Sequence, residues 1–228
     1  MTPRSAPGTV LETSLRTGGR VVAGVDEVGK GAWAGPLVVG VAVLPETAYV
    51  DGLPDGVADS KTLTERRRES SYERLATWCA HWSTGWASAA ECDHLGMAAA
   101  QRLACRRALD ALGVAVDVAI VDGRWDFVSP LVPQVEMMVK ADQQVASVAA
   151  ASILAKVSRD RHMRSLNASY PHWSFETNKG YPCDRHRLGL AAFGPSVEHR
   201  TSWAFMDTTV PWPGAERRRR DDAPATLF

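Results

Sequence analysis

Apolar positions along the chain fall into two rhythms. Short β-branched runs bounded by glycine, proline or acid occur at 21–26, 36–44, 81–88, 117–122 and 135–140, and each reads as a strand. The first three follow one another closely enough for a meander. The second rhythm repeats every three to four residues. Tyr72, Leu75, Trp78 and Cys79 give one apolar face to a helix entered from 59–65, with Thr62 or Thr64 as its cap. A second helix is expected over 97–112, with Leu109 and Leu112 inward and Arg102, Arg106 and Arg107 towards solvent. A long helix led by Ala141-Asp142 runs to about 166, its Ala149, Ala150 and Ala151 small enough to pack closely on a sheet. A short helix is expected near 184–193. Strands followed by alternating helix and strand predict an α/β domain with a mixed sheet.

The run VVAGVDEVGKG at 21–31 departs from a plain strand. Asp and Glu are depleted from strands and are almost never fully buried unless paired. Asp26 and Glu27 therefore need a counter-charge, for which a divalent metal is the strongest candidate. Gly29 and Gly31 flank Lys30, where backbone N–H groups could approach a phosphate or sugar. The same stretch nearly matches a nucleotide-binding phosphate loop. Gly31 fills the position that must be Ser or Thr, a strand rather than a helix follows, and two acids would face the phosphates. A nucleoside triphosphatase is therefore a poor reading.

Composition narrows the class. A chain of 228 residues with 45% hydrophobic and 23% charged content is an ordinary globule of one generous domain. No apolar run approaches the ~20 residues of a membrane span, and the N-terminus has no apolar signal core, so no membrane association and a cytoplasmic address are expected. Cys79, Cys92, Cys105 and Cys183 lack metal-ligand spacing and read as reduced thiols. Basic and acidic residues balance at 26 each, so total charge does not argue for nucleic acid. Distribution says more. The 5 lysines (Lys30, Lys61, Lys140, Lys156 and Lys179) each sit beside a Gly, Asp or Ser cluster singled out on other grounds. Of these, Lys30, Lys61 and Lys156 are expected at the substrate.

Four acids occur at the ends of apolar segments: Asp26, Glu27, Asp122 and Asp142. In an α/β sheet, sites gather where the chain leaves the strands. If 21–26 and 117–122 are neighbours, Asp26 and Asp122 face each other and Asp142 joins from the start of the long helix. Strict alternation sends Asp26 and Glu27 to opposite faces, so both reach one ion only if the strand ends or twists at Glu27. Four oxygen ligands without His or Cys fit magnesium or manganese rather than zinc. Singly, Asp122-Gly123 reads as a turn and Asp142 as a helix cap. Together, the four favour a metal site. Asp51, Asp55 and Asp93 sit in polar loop contexts and read as ordinary surface acids.

The segments GVDEVGKG, DSKTLTERRR (59–68), VDGRW (121–125), VKADQQVASVAAASILAKVSRD (139–160) and NKGYPCDRH (178–186), in that order, resemble bacterial ribonuclease HII over roughly 21–205. The resemblance implies a ribonuclease H-like three-layer fold, a mixed central sheet flanked by helices, with a small C-terminal helical region. It implies a metal-dependent endonuclease, using Mg2+ or Mn2+, that acts on RNA–DNA hybrids and nicks DNA duplexes at single ribonucleotides, leaving 3′-hydroxyl and 5′-phosphate ends. Asp26, Glu27, Asp122 and Asp142 match that family's metal-binding catalytic carboxylates. Gly29, Lys30 and Gly31 match its ribose-reading motif, and Tyr181 the tyrosine that stacks at the RNA–DNA junction. A monomer is expected, with a role in removing ribonucleotides from DNA.

Departures from the family pattern are Ala141 for Gly before the fourth carboxylate, Gln143 and Gln144 after it, Cys183 for Thr, and Trp33 where smaller residues are usual. They bear on efficiency and junction preference more than on the reaction. Residues 1–20 read as a flexible lead-in, 21–207 as the catalytic domain with its helical part from about 170, and 208–228 as a disordered tail. Within that tail, Asp221 and Asp222 partly offset Arg217–Arg220.

Overall fold

The computed structural model describes residues 7–54, 63–203 and 206. Lys61, Thr62 and Asp55, the first six residues and the tail from 207 lie outside the described residues. In chain order the elements are α1 (Val10–Leu15), β1 (Val22–Val28), β2 (Leu37–Val43), α2 (Ala48–Asp51), α3 (Glu65–Trp78), β3 (His81–Ala87), α4 (Ala89–Leu95), α5 (Met97–Ala111), β4 (Val118–Asp122), β5 (Gln134–Met138), α6 (Ala146–Leu166), α7 (Phe175–Asn178) and α8 (Asp184–Phe193). Among the described residues no helix is long and apolar enough to cross a membrane.

The chain divides into two compact units, the first made of 1–28, 38–86 and 101–159, the second of 29–37, 87–100 and 160–228. The first unit is built on a mixed sheet of order β3-β2-β1-β4-β5, in which β1 pairs antiparallel with β2 and parallel with β4, and β4 parallel with β5. Its central strands are buried on both faces, which is why they read as continuous apolar runs.

Helix α6 lies directly on the β1–β2 pair. A Cβ on Gly24 would come within 2.1 Å of the Ser147 backbone, and one on Gly40 within 2.5 Å of the Ala151 carbonyl. Only glycine permits this approach. Apolar residues of α6, α3 and β2 (Ile153, Leu154, Val157, Leu75, Ala42) form the core on this face, joined by Trp82. Gly85, of opposite parity on β3, faces α5 instead, where Ser83 Oγ donates to the Ala108 carbonyl at 2.6 Å. Helices on both faces make three layers. Helix α3 is capped by Thr64, whose hydroxyl accepts from the Arg67 N–H at 3.4 Å. In α5 the arginines are exposed and Leu112, just past its end, is buried, as expected; Leu109 is half-buried, and the inner face is made of Ala100, Ala104, Cys105 and Ala108.

Two expectations change. The lead-in was expected to be loose; from residue 7 it docks. Gly8 bridges Val145, Leu11 and Leu15 pack against Val22, Val118, Ile120 and Val148, and buried Glu12 accepts the Ser147 N–H at 2.8 Å. Glu12 thus satisfies one of the open donors at the start of α6, and burial raises its carboxyl pKa. The long helix also starts later than expected. Ala141–Gln143 is a separate 3₁₀ turn, and α6 proper begins at Ala146.

The second unit has its own core of Trp33, Ala34, Met163, Trp173, Phe175, Leu190 and Met206. Trp33 is therefore a packing residue. Its N–H donates to the Gly180 carbonyl at 2.8 Å and its carbonyl accepts from Arg200 N–H at 2.9 Å.

Candidate active site

In the first unit, Asp26 lies on the face of β1 that meets α6, as does Gly24 two residues earlier. The β1–β4 register runs Val22↔Val118 to Val25↔Val121, and the same offset continued by one residue places Asp26 beside Asp122. The two acids are neighbours because the strands run parallel in this register, with Asp122 at the end of β4 and Asp26 two residues before the end of β1. Asp26 is 6% exposed, and its Oδ1 accepts the Glu27 N–H at 2.8 Å. Burial, and after it the charges of Glu27 and Asp122, push the Asp26 carboxyl up from 3.8 to about 8, against the pull of a hydrogen bond from Ser152 on α6.

Asp122 Oδ1 accepts the Ala141 N–H at 2.8 Å, which ties the end of β4 to the turn carrying the fully buried Asp142. Lys140 takes the left-handed conformation there (φ 60°), and Ala141 adopts ordinary 3₁₀ backbone. Lys156 is half-buried on α6, one turn beyond Ser152 and on the same face.

Glu27 stands apart. β1 does not end at Glu27 but continues to Val28, with Glu27 opposite Val39, so alternation turns its side chain away from the Asp26 face. Accordingly, among the described residues no three His, Cys, Asp or Glu side chains are gathered into a ligand cage. The donor set still fits a hard divalent cation. It is all oxygen, and burial with the neighbouring like charges pushes the Asp26 carboxyl up to about 8.

The second unit assembles the other predicted residues. Gly29 has φ 88°, a conformation that favours glycine, and its N–H donates to the Tyr181 hydroxyl at 3.1 Å. Lys30 and Gly31 are exposed, and a Cβ on Gly31 would meet nothing within 4 Å. Packing within the protein does not demand glycine there. Arg200, fully buried, donates to the carbonyls of Lys30 (3.2 Å) and Gly35 (2.9 Å) and so fixes the loop. Tyr181 is half-buried after a turn in which Asn178 Oδ1 accepts the Gly180 N–H at 2.7 Å. Cys183 caps α8, its sulfur accepting the His186 N–H at 3.4 Å, so this position serves the helix end.

Sequence reading missed Ser152 and Arg200, whose partners lie far away in the chain, and His186 and His199, whose partners are nearer but follow no periodic spacing. Asp93 was expected in a loop; it lies on α4, where its carboxylate accepts from the backbone and hydroxyls of Thr201 and Ser202 at 2.7–3.2 Å.

Comparison with known proteins gives the family. Residues 23–206 match the family model for ribonuclease HII. The ribonuclease HII of Streptomyces avermitilis is 45% identical over 92% of this chain and 89% of its own. That of Thermus thermophilus is 42% identical over 85% of this chain and 91% of its own. Among solved structures, the ribonuclease H2 of Pyrococcus horikoshii superposes with a TM-score of 0.68 at 32% identity, covering 80% of this chain and 93% of that one. The layered mixed sheet and these matches lead to one conclusion: the chain belongs to the ribonuclease HII family and is a hydrolase of the ribonuclease H type.

Proposed function

We propose that this protein cuts the RNA strand of RNA–DNA hybrids internally and nicks duplex DNA at single embedded ribonucleotides, leaving 3′-hydroxyl and 5′-phosphate ends. The observation that carries the reading is buried Asp26 beside half-buried Asp122 on two parallel strands, with the Asp122 charge opposing ionisation of Asp26. Asp26, Glu27, Asp122 and Asp142 would hold Mg2+ or Mn2+. When bound, such an ion supplies Lewis acidity for activating water and for offsetting charge on the phosphate and leaving oxygen.

The chain's own residues do the rest. Deprotonated, the carboxylates would repel a phosphodiester, so charge compensation at Asp26 and Asp122 governs binding as well as rate. Glu27, turned to the other side of β1, reaches an ion only after a change of rotamer or local twist. Ser152 orients Asp26, and the Ala141 N–H orients Asp122. Telling RNA from DNA requires a contact to the 2′-hydroxyl. In the Gly29-Lys30-Gly31 turn, Lys30 and Gly31 offer exposed backbone for that contact, and Tyr181 an aromatic face for sequence-tolerant stacking. Lys156 and Lys61 would serve the phosphates as compact charges.

The test uses purified protein with Mg2+ or Mn2+ on a DNA duplex carrying one ribonucleotide, an RNA–DNA hybrid, and an all-DNA duplex. Cutting confined to the first two, with ligatable 3′-hydroxyl ends, is expected. Equal cutting of the all-DNA duplex, or binding without cutting, overturns the reading.

A further inference from the structure

The second unit buries two histidines in contact. His186 is 0% and His199 3% exposed, their Nε2 atoms are 2.9 Å apart, and the rings are enclosed by Trp33, Trp173 and Phe175. Two imidazole nitrogens at that distance share one proton, and the outer partners decide whose it is. His186 Nδ1 lies 3.0 Å from the Tyr181 carbonyl, which can only accept, so Nδ1 carries the proton. His199 Nδ1 receives the Ser196 N–H at 2.9 Å, so it is bare and its proton is on Nε2. The bonds then run in one direction: Ser196 N–H to His199, His199 Nε2–H to His186 Nε2, and His186 Nδ1–H to the Tyr181 carbonyl. Every ring nitrogen is satisfied only when both rings are neutral, and burial lowers the pKa of both, which favours that state.

We infer that His186 and His199 are positioning residues for substrate recognition, a neutral relay that fixes the Tyr181 backbone and, through the Tyr181 hydroxyl, the N–H of Gly29. The buried relay has half-buried Tyr181 at one end and half-buried Ser196 at the other. Arg200, next to His199 in the chain, clamps the Lys30 carbonyl of the same loop. Residues 196–200 therefore hold the Gly29-Lys30-Gly31 turn and Tyr181 from two directions at once. An apolar pair would fill the same space but leave the Tyr181 carbonyl and Ser196 N–H without these bonds. The inference rests on the proposal that this turn and Tyr181 engage the ribonucleotide.

Three measurements test it. First, ¹⁵N NMR of the parent protein at neutral pH should show His186 as the Nδ1–H tautomer and His199 as the Nε2–H tautomer. Any other pair of tautomers overturns the relay without recourse to a variant. Second, on the single-ribonucleotide duplex, His186→Leu should raise KM about three- to tenfold, the worth of one lost hydrogen bond, with kcat within about twofold. Third, the conservative changes should recover most of the loss. His186→Asn keeps a donor at the Nδ1 place, and His199→Gln keeps one at the Nε2 place, whereas His199→Leu keeps none. Loss of kcat in proportion to lost folded protein, with no rescue by Asn or Gln, overturns the positioning role.

Tyr181→Ala, run in parallel, separates the two layers of argument. Unchanged KM in Tyr181→Ala overturns the reading of Tyr181 as a substrate contact. Raised KM there, with KM unmoved in His186→Leu, overturns the relay alone.

Discussion

Asp26 and the His186–His199 pair are both buried titratable groups, handled in opposite ways. The histidines lie in complementary tautomers, with a backbone group at each end of the chain of bonds. Asp26 lies among other acids, and burial and their charges hold its carboxyl at about 8. The first arrangement is complete within the protein and suits a part whose task is to keep its shape. The second is at odds with itself until something positive arrives, which suits a part whose task is to take up a cation. The difference separates a residue set built for position from one built for chemistry.

The largest effect that sharpens this contrast is expected from Asp122→Asn. It should lower cleavage by at least about 10²–10³-fold, the loss typical when a charge-stabilising group is removed. It should also leave the metal-free protein as stable as the parent or raise its melting temperature by a few degrees, on the order of that expected from relieving one like-charge contact. Activity assays and thermal melts check this. A large drop in stability would show that the acid pair supports the fold.

Acidification should reveal the histidines. Between about 3 and 6.5 the unfolded chain binds a proton at His199 that the folded chain does not, so stability falls as pH drops through that window. The slope is about 1.4 kcal/mol per pH unit. Asp26 has the reverse sign. Between 3.8 and about 8 the folded chain holds a proton that the unfolded one has lost, so stability falls as pH rises. The two slopes oppose each other in the acid range and leave Asp26 alone above 6.5. Urea denaturation of metal-free protein from pH 4 to 8 should therefore show His199→Gln losing less stability on acidification than the parent. An unchanged slope in His199→Gln would break the comparison.

A subtler consequence concerns uptake of Mg2+ or Mn2+. With Asp26 protonated at pH 7, binding should release close to one proton, and at pH 9 almost none. Calorimetry in buffers of different ionisation enthalpy reads this directly, and equal heats across buffers at pH 7 would contradict it. The smallest effect is expected from Cys183→Thr. It restores a hydroxyl cap to α8 and should stabilise by a few tenths to about 1 kcal/mol, measured by chemical denaturation.

Much of the fold was legible because burial on both sides of a central strand leaves an uninterrupted apolar run. The acids at 26, 27 and 122 stood out against just such runs, and the Gly-Lys-Gly turn against the strand before it. The docked lead-in was hidden because α1 is short and its anchor, Glu12, resembles any surface acid until α6 arrives to need a cap. Ser152, Arg200, His186 and His199 were hidden for the same reason: hydrogen-bond partners leave no periodic mark in a sequence.

The sequence by itself determined the strands, the amphipathic helices and the inventory of acids, since each is written in local pattern and residue chemistry. Only the tertiary structure decided that β1 and β4 run parallel in a register that sets Asp26 beside Asp122, and that Glu27 turns the other way on a strand continuing past it. It alone decided the tautomers of two histidines 13 residues apart. Pairing register and proton position depend on which distant groups meet, and that is settled by packing.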